Sequence, residues 1–92
     1  MLSESPINLD KVSDSEIDKE ILRLGIIAEL DAISLYEQLA AKTKSKKIKE
    51  VLLDIAKEEK THVGEFQTLL LGIDKEQVRE LENGRKEVMG KK

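Results

Sequence analysis

Along this chain the apolar residues recur every three or four positions over two long stretches, the period of amphipathic helices rather than of strands. From Ile17 to about Lys42 one face reads Leu22, Ile26, Glu29, Ile33, Tyr36, Ala40. After a basic polar break from Lys42 to Lys47, a second face reads Ile48, Leu52, Ile55, Glu59, His62, Phe66, Leu69. Ser13-x-x-Glu16 has capping-box spacing ahead of the first helix, and Ser45 suits the N-cap of the second. Gly72 suits the end of that second helix, near Leu71. Asp74-x-x-Gln77 opens a shorter third helix with Val78, Leu81 and Val88 on its apolar side and a break expected at Asn83-Gly84. Residues 1–12 are polar, hold the only proline (Pro6) and show no period, so they are expected to be an N-terminal arm before a helical domain over 13–92.

The expected fold is all-α: an antiparallel two-helix hairpin with a short C-terminal helix. A hairpin leaves one apolar face bare, and a second copy is the simplest cover. Two hairpins then make a four-helix bundle with twofold symmetry, in which residues near the axis meet their own copies.

The apolar seams are interrupted at matching heights by ionisable groups. Glu29 and Tyr36 break the first, and Glu59 and His62 the second, where an ordinary hairpin carries leucine. An unpaired buried carboxylate costs several kcal/mol or takes up a proton, and dimerisation would double the problem. Divalent cations resolve it. Four carboxylates from two chains balance the charge of two divalent ions, and neutral imidazoles complete the donor set. Residues three apart on a helix have β-carbons about 5–6 Å apart, so Glu59 and His62 can grip one ion while Glu29 from the facing helix bridges two. That is the ligand inventory of carboxylate di-iron bundles, halved: one Glu and one Glu-x-x-His per chain.

Taken alone, Glu-x-x-His is a weak signal in a chain with 13 glutamates. Tyr36 alone is ordinarily a core aromatic, and Glu50, Asp54, Glu58 and Glu65 read as exposed charges pairing with lysines. Gly64 in mid-helix implies close packing between helices or subunits. Three ionisable groups on facing seams exceed what setting a helix register needs.

Composition removes other chemistries. There is no cysteine, which excludes thiolate sites, thiol catalysis and disulfides. Sixteen basic against nineteen acidic residues leave a charge of −3, so no overall basic field attracts nucleic acid. No apolar run is long enough for a membrane span or a secretory signal, and a cytoplasmic chain is expected. Hard oxygen ligands with one nitrogen and no sulfur suit iron or manganese better than structural zinc, and iron is the expected ion.

Ala28 to Tyr36 (AELDAISLY), followed by Glu58 to His62 (EEKTH), resembles the encapsulated ferritin-like proteins, over about two thirds of the chain. The resemblance implies a ferritin-like four-helix bundle formed by a dimer, with a ferroxidase centre that oxidises Fe(II) to Fe(III). By it, the di-iron ligands fall on Glu29, Glu59 and His62, and the tyrosine beside the metals falls on Tyr36. The outer acidic positions, where iron, calcium or other divalent cations gather, fall on Ala28 and Asp31; Asp31 is the acidic one of the pair. It further implies a ring of five dimers joined by C-terminal helices and lodged inside an encapsulin nanocompartment, whose shell stores the iron. The tail from Glu82 to Lys92 does not look like a shell-targeting peptide, leaving a truncated chain, a domain fused to the shell protein, or another route. Two readings stand beside the ferroxidase: a rubrerythrin-like peroxide reductase and a non-catalytic helical scaffold.

Overall fold

The computed structural model describes residues 8–90. A short 3-10 turn, Leu9–Lys11, precedes three α-helices: α1, Ile17–Lys42; α2, Lys46–Ile73; α3, Lys75–Met89. No strand occurs among the described residues. The expected arm thus contains an ordered turn, with Asn8 accepting from the Asp10 N–H; residues 1–7 lie outside the described part. At 1.5 Å per residue α1 and α2 are each about 40 Å long, and they pair along their whole length as an antiparallel hairpin.

Local chemistry sets the boundaries. The Ser45 hydroxyl accepts from the Ile48 N–H at 3.2 Å and so caps α2, while Thr43 Oγ1 accepts from the Ser45 N–H and folds the loop back. The capping box expected for α1 does not form. Ser13 Oγ is engaged by Ser15 Oγ at 3.2 Å, and the Glu16 carboxylate turns to Lys19 at 2.9 Å instead of reaching back. Nor does α2 stop at Gly72; it runs on to Ile73 because Asp74 terminates it. The Asp74 N–H donates to the Leu70 carbonyl at 2.9 Å, while its Oδ1 accepts from the Gln77 N–H at 3.0 Å and caps α3. One buried residue therefore ends one helix and begins the next. Arg23 of α1 reaches the second oxygen of Asp74 at 3.3 Å and Glu20 at 2.6 Å, tying this joint to the hairpin.

The break expected at Asn83-Gly84 is absent, and α3 is continuous. Asn83 donates to Glu80, and Arg85 grips Glu82 with two bonds of 3.1 and 2.7 Å, so the side chains on both sides of Gly84 reinforce the helix. α3 leans mainly on the end of α2 and projects sideways, giving extents of 46 × 41 × 20 Å.

The interior is thin. Ala40, Ala56 and Leu70 are the buried hydrophobic residues among those described, whereas Ile21, Leu30, Ile48, Val51, Leu69 and Ile73 stay exposed on the hairpin. The chain shows 7094 Å² to solvent, against about 5,400 Å² expected of a folded monomer of its mass. No described helix is long and apolar enough to cross a membrane.

Candidate metal centre

Glu29 stands at the middle of α1, and Glu59 and His62 at the middle of α2. Antiparallel pairing sets these midpoints opposite one another. One donor atom from each of Glu29, Glu59 and His62 lies within 4.8 Å of the others, the one cluster of metal-competent His, Asp and Glu side chains among the described residues. His62 Nδ1 is 2.9 Å from Glu59 Oε1 and 3.4 Å from Glu29 Oε1. The two carboxylates are four-fifths shielded, each side chain 19% exposed, while the imidazole is 45% exposed. The imidazole is therefore the most open member of the set.

The three groups shift one another's titration. Hydrogen bonding with Glu59, reinforced by burial and by Glu59's charge, raises the Glu29 carboxyl above the usual carboxylate range. The same hydrogen bond holds Glu59 below that range, helped by His62 against the effect of burial. Hydrogen bonding to Glu59, and then to Glu29, pushes His62 above an ordinary imidazole despite its partial burial. His62 Nδ1 thus stands within reach of both carboxylates.

The donor set fits iron: two hard carboxylates and one imidazole, with no sulfur. It also falls short, because three donors leave an octahedral ion half satisfied.

The other expected residues lie outside this cluster. Tyr36 is half-buried, seven residues and two turns beyond Glu29, about 10 Å nearer the hairpin loop on the same face. Its hydroxyl makes no hydrogen bond to Glu29 or Glu59 within one chain. Asp31, also half-buried, is two residues from Glu29 and so about 200° round the helix. Glu50, Asp54, Glu58 and Glu65 are exposed or nearly so, but they form none of the expected lysine pairs; Lys60 pairs across the hairpin with Glu37 at 3.1 Å.

The periodicity gave no sign of what supports the site from below. Phe66, one turn past His62, lies over Gly25, one turn before Glu29, so closely that a β-carbon on Gly25 would meet the ring at 3.1 Å. A glycine four residues before a seam glutamate was the available signal. Gly64, by contrast, has nothing within 4 Å of a β-carbon built on it, so close packing inside the chain is not its reason.

Comparison with known proteins places this geometry. The Rubrerythrin profile matches residues 20–91, spanning all three donors. The chain belongs to the Rubrerythrin family. This Rubrerythrin-family chain is 57% identical over 90 residues to the "Ferritin-like-encapsulin shell fusion protein" of Pyrococcus furiosus, a match covering 96% of the chain and 26% of that protein. It is 39% identical over 67 residues to the "Encapsulin nanocompartment cargo protein EncC" of Myxococcus xanthus, covering 73% of the chain and 51% of that protein. The crystal structure of the encapsulated ferritin domain from Pyrococcus furiosus superposes with a TM-score of 0.81 at 56% identity, covering 96% of this chain and 92% of that one. The fold is thus that of an encapsulated ferritin-like domain, and the chain spans about a quarter to a half of the curated relatives it matches.

Proposed function

We propose that two copies of this chain form a ferroxidase that oxidises Fe(II) to Fe(III) at a di-iron site on their shared twofold axis. The observation that carries the reading is the convergence of Glu29, Glu59 and His62 from two helices onto one point, with the imidazole partly exposed. Each Glu59–His62 pair would hold one Fe(II), and Glu29 of each chain would bridge the two ions. Four carboxylates match the charge of two ferrous ions and, being hard donors, favour the ferric product. Two Fe(II) give one electron each; dioxygen takes both with two protons and leaves as hydrogen peroxide.

With the pKa of both Glu29 and His62 raised, protons compete with iron for these donors. Phe66 packs over Gly25 in the adjoining turn. Asp31 is proposed as an uptake position for iron or other divalent cations, and Tyr36 as an auxiliary electron donor. The relatives' names support an encapsulin shell as partner and an encapsulin compartment as the setting; a cytoplasmic location and storage of the ferric product by the shell belong to the proposal. The exposed apolar side of α3, Val78, Leu81 and Val88, is the proposed contact joining dimers into a ring of five.

Anaerobic loading with Fe(II) followed by air should bind two irons per dimer and produce a ferric absorbance. Glu29→Ala, Glu59→Ala and His62→Ala should each abolish or greatly slow it. Oxidation unchanged in all three variants removes the proposal. The family match gives a peroxide reductase as the second reading, so turnover with peroxide and with dioxygen should be compared; faster peroxide turnover selects that reading.

A further inference from the structure

Asn83 and Gly84, near the middle of α3, carry chemistry that the metal centre does not use. A glycine has no side chain to screen its amide nitrogen, so the Gly84 nitrogen can reach the Asn83 side-chain carbonyl once the backbone leaves the helical conformation. Asn8, the other asparagine of the chain, precedes the bulkier Leu9. Within the helix the reaction is held back. A helical ψ of about −42° keeps the nitrogen away from the side-chain carbonyl, and its N–H is engaged by the carbonyl four residues earlier, that of Glu80.

The restraint is a weak one. α3 has 15 residues, close to the length at which an isolated helix is marginal in water. It leans mainly on the end of α2, and of its residues only Gln77 and Gly84 are even half-buried. Gly84 weakens the helix interior, and nothing lies within 4 Å of a β-carbon built on it, so no close approach inside the chain accounts for the glycine. The bond from Asn83 to Glu80 is long at 3.4 Å, and the Glu82–Arg85 pair is exposed, so neither holds the turn firmly. A segment with exposed backbone hydrogen bonds and few buried contacts opens on its own, well before the molecule unfolds.

We infer that Asn83 is a site of spontaneous covalent modification, gated by local opening of α3 while the hairpin stays folded. In the opened segment the Gly84 nitrogen attacks Cγ of Asn83. The new N–Cγ bond forms, the Cγ–Nδ2 bond breaks, and ammonia leaves with the proton of the Gly84 amide, which closes a cyclic imide. Water then opens the ring at one carbonyl or the other, giving aspartate or isoaspartate. Nothing is oxidised or reduced, and water is the sole co-reactant. Isoaspartate lengthens the main chain by one carbon, so the helical ladder cannot re-form across it. It divides α3 between Leu81 and Val88, and the two ends of its apolar side no longer share one face. The inference stands apart from the ferroxidase reading, since Glu29, Glu59 and His62 take no part in it.

The test is incubation of the full metal-free chain at mildly alkaline pH, followed by peptide mapping with mass spectrometry that separates asparagine, aspartate and isoaspartate. Position 83 should be modified while Asn8 stays intact, at a rate at least about tenfold below that of the same chain unfolded in guanidinium. Lys86 is exposed in α3, and Lys86→Gly should speed the reaction in the folded chain about fivefold, the factor that matches the usual cost of a glycine in a helix interior. In guanidinium the same substitution should change nothing. Gly25→Ala, which weakens the hairpin and not α3, should leave the rate as it is in the parent. A rate that rises in Gly25→Ala with its lost stability would assign the opening to unfolding of the whole molecule and overturn the inference. So would a folded chain that stays unmodified, one that reacts as fast as the unfolded chain, or a Lys86→Gly variant that reacts like the parent.

Discussion

At the scale of single residues, the site conflicts with the stability of the metal-free chain. Glu29 has its pKa raised in the fold, so ionising it costs more folded than unfolded. Its contribution is therefore unfavourable at every pH above the ordinary carboxylate range and vanishes below it. Glu59 has the opposite sign: its lowered pKa stabilises the fold above the ordinary range and is lost as acid protonates it. His62, raised, stabilises below the ordinary imidazole value and loses that contribution as the pH climbs through its folded value. Glu29→Gln keeps the shape and removes the costly ionisation. Chelated Glu29→Gln should melt no lower than the parent at neutral pH, and the two should converge near pH 4, while iron binding is lost. A variant that melts well below the parent at neutral pH in the absence of metal would show that Glu29 serves the fold instead.

Between helices, the decisive contact is Phe66 on Gly25. Alanine in a helix interior is worth about 1 kcal/mol over glycine, but overpacking costs about 1–3 kcal/mol, and the ring, at 3.1–3.2 Å from the added carbon, must shift to admit it. Gly25→Ala should therefore lower stability in denaturant unfolding by up to about 2 kcal/mol. In a Phe66→Leu background, where the ring is gone, the same change should become neutral or stabilising. A cost that is identical in both backgrounds would place the strain elsewhere. This contact also shows what the chain made legible. Helix periods, the Ser45 cap and the Asp74 cap are decided within a few residues, and they could be read directly. The facing of Glu29 onto Glu59 and His62 was legible because polar residues interrupted two seams at equal distances from one loop. The Gly25–Phe66 approach depends on how far each helix is rotated about its axis, and the Arg23–Asp74 bond joins residues 51 apart in the chain; neither distance is encoded locally. The capping box failed for the opposite reason, since Lys19 offered Glu16 a partner that the motif does not count.

For the molecule as a whole, the thin core and the open metal cluster point to the same missing surface. The three hydrophobic residues buried among those described are few to hold two helices of about 40 Å against chain entropy, and the exposed apolar residues lie along the hairpin that carries Glu29, Glu59 and His62. Folding, association and iron binding should then be one linked equilibrium. Fe(II) that binds only the assembled dimer stabilises it by about 2.7 kcal/mol when free metal is at 100 times its dissociation constant. For a cooperative unit of two chains this raises the melting midpoint by roughly 5–10 °C. The midpoint of the metal-free protein should also rise with protein concentration, because dilution favours unfolded monomers. Anaerobic calorimetry over a hundredfold range of protein concentration, with and without Fe(II), separates the contributions. His62→Ala should keep the concentration dependence and lose the iron-induced rise, because it removes a donor and leaves the apolar face intact. A midpoint independent of both concentration and iron would mean that the hairpin is stable alone, and the exposed face would then need another explanation.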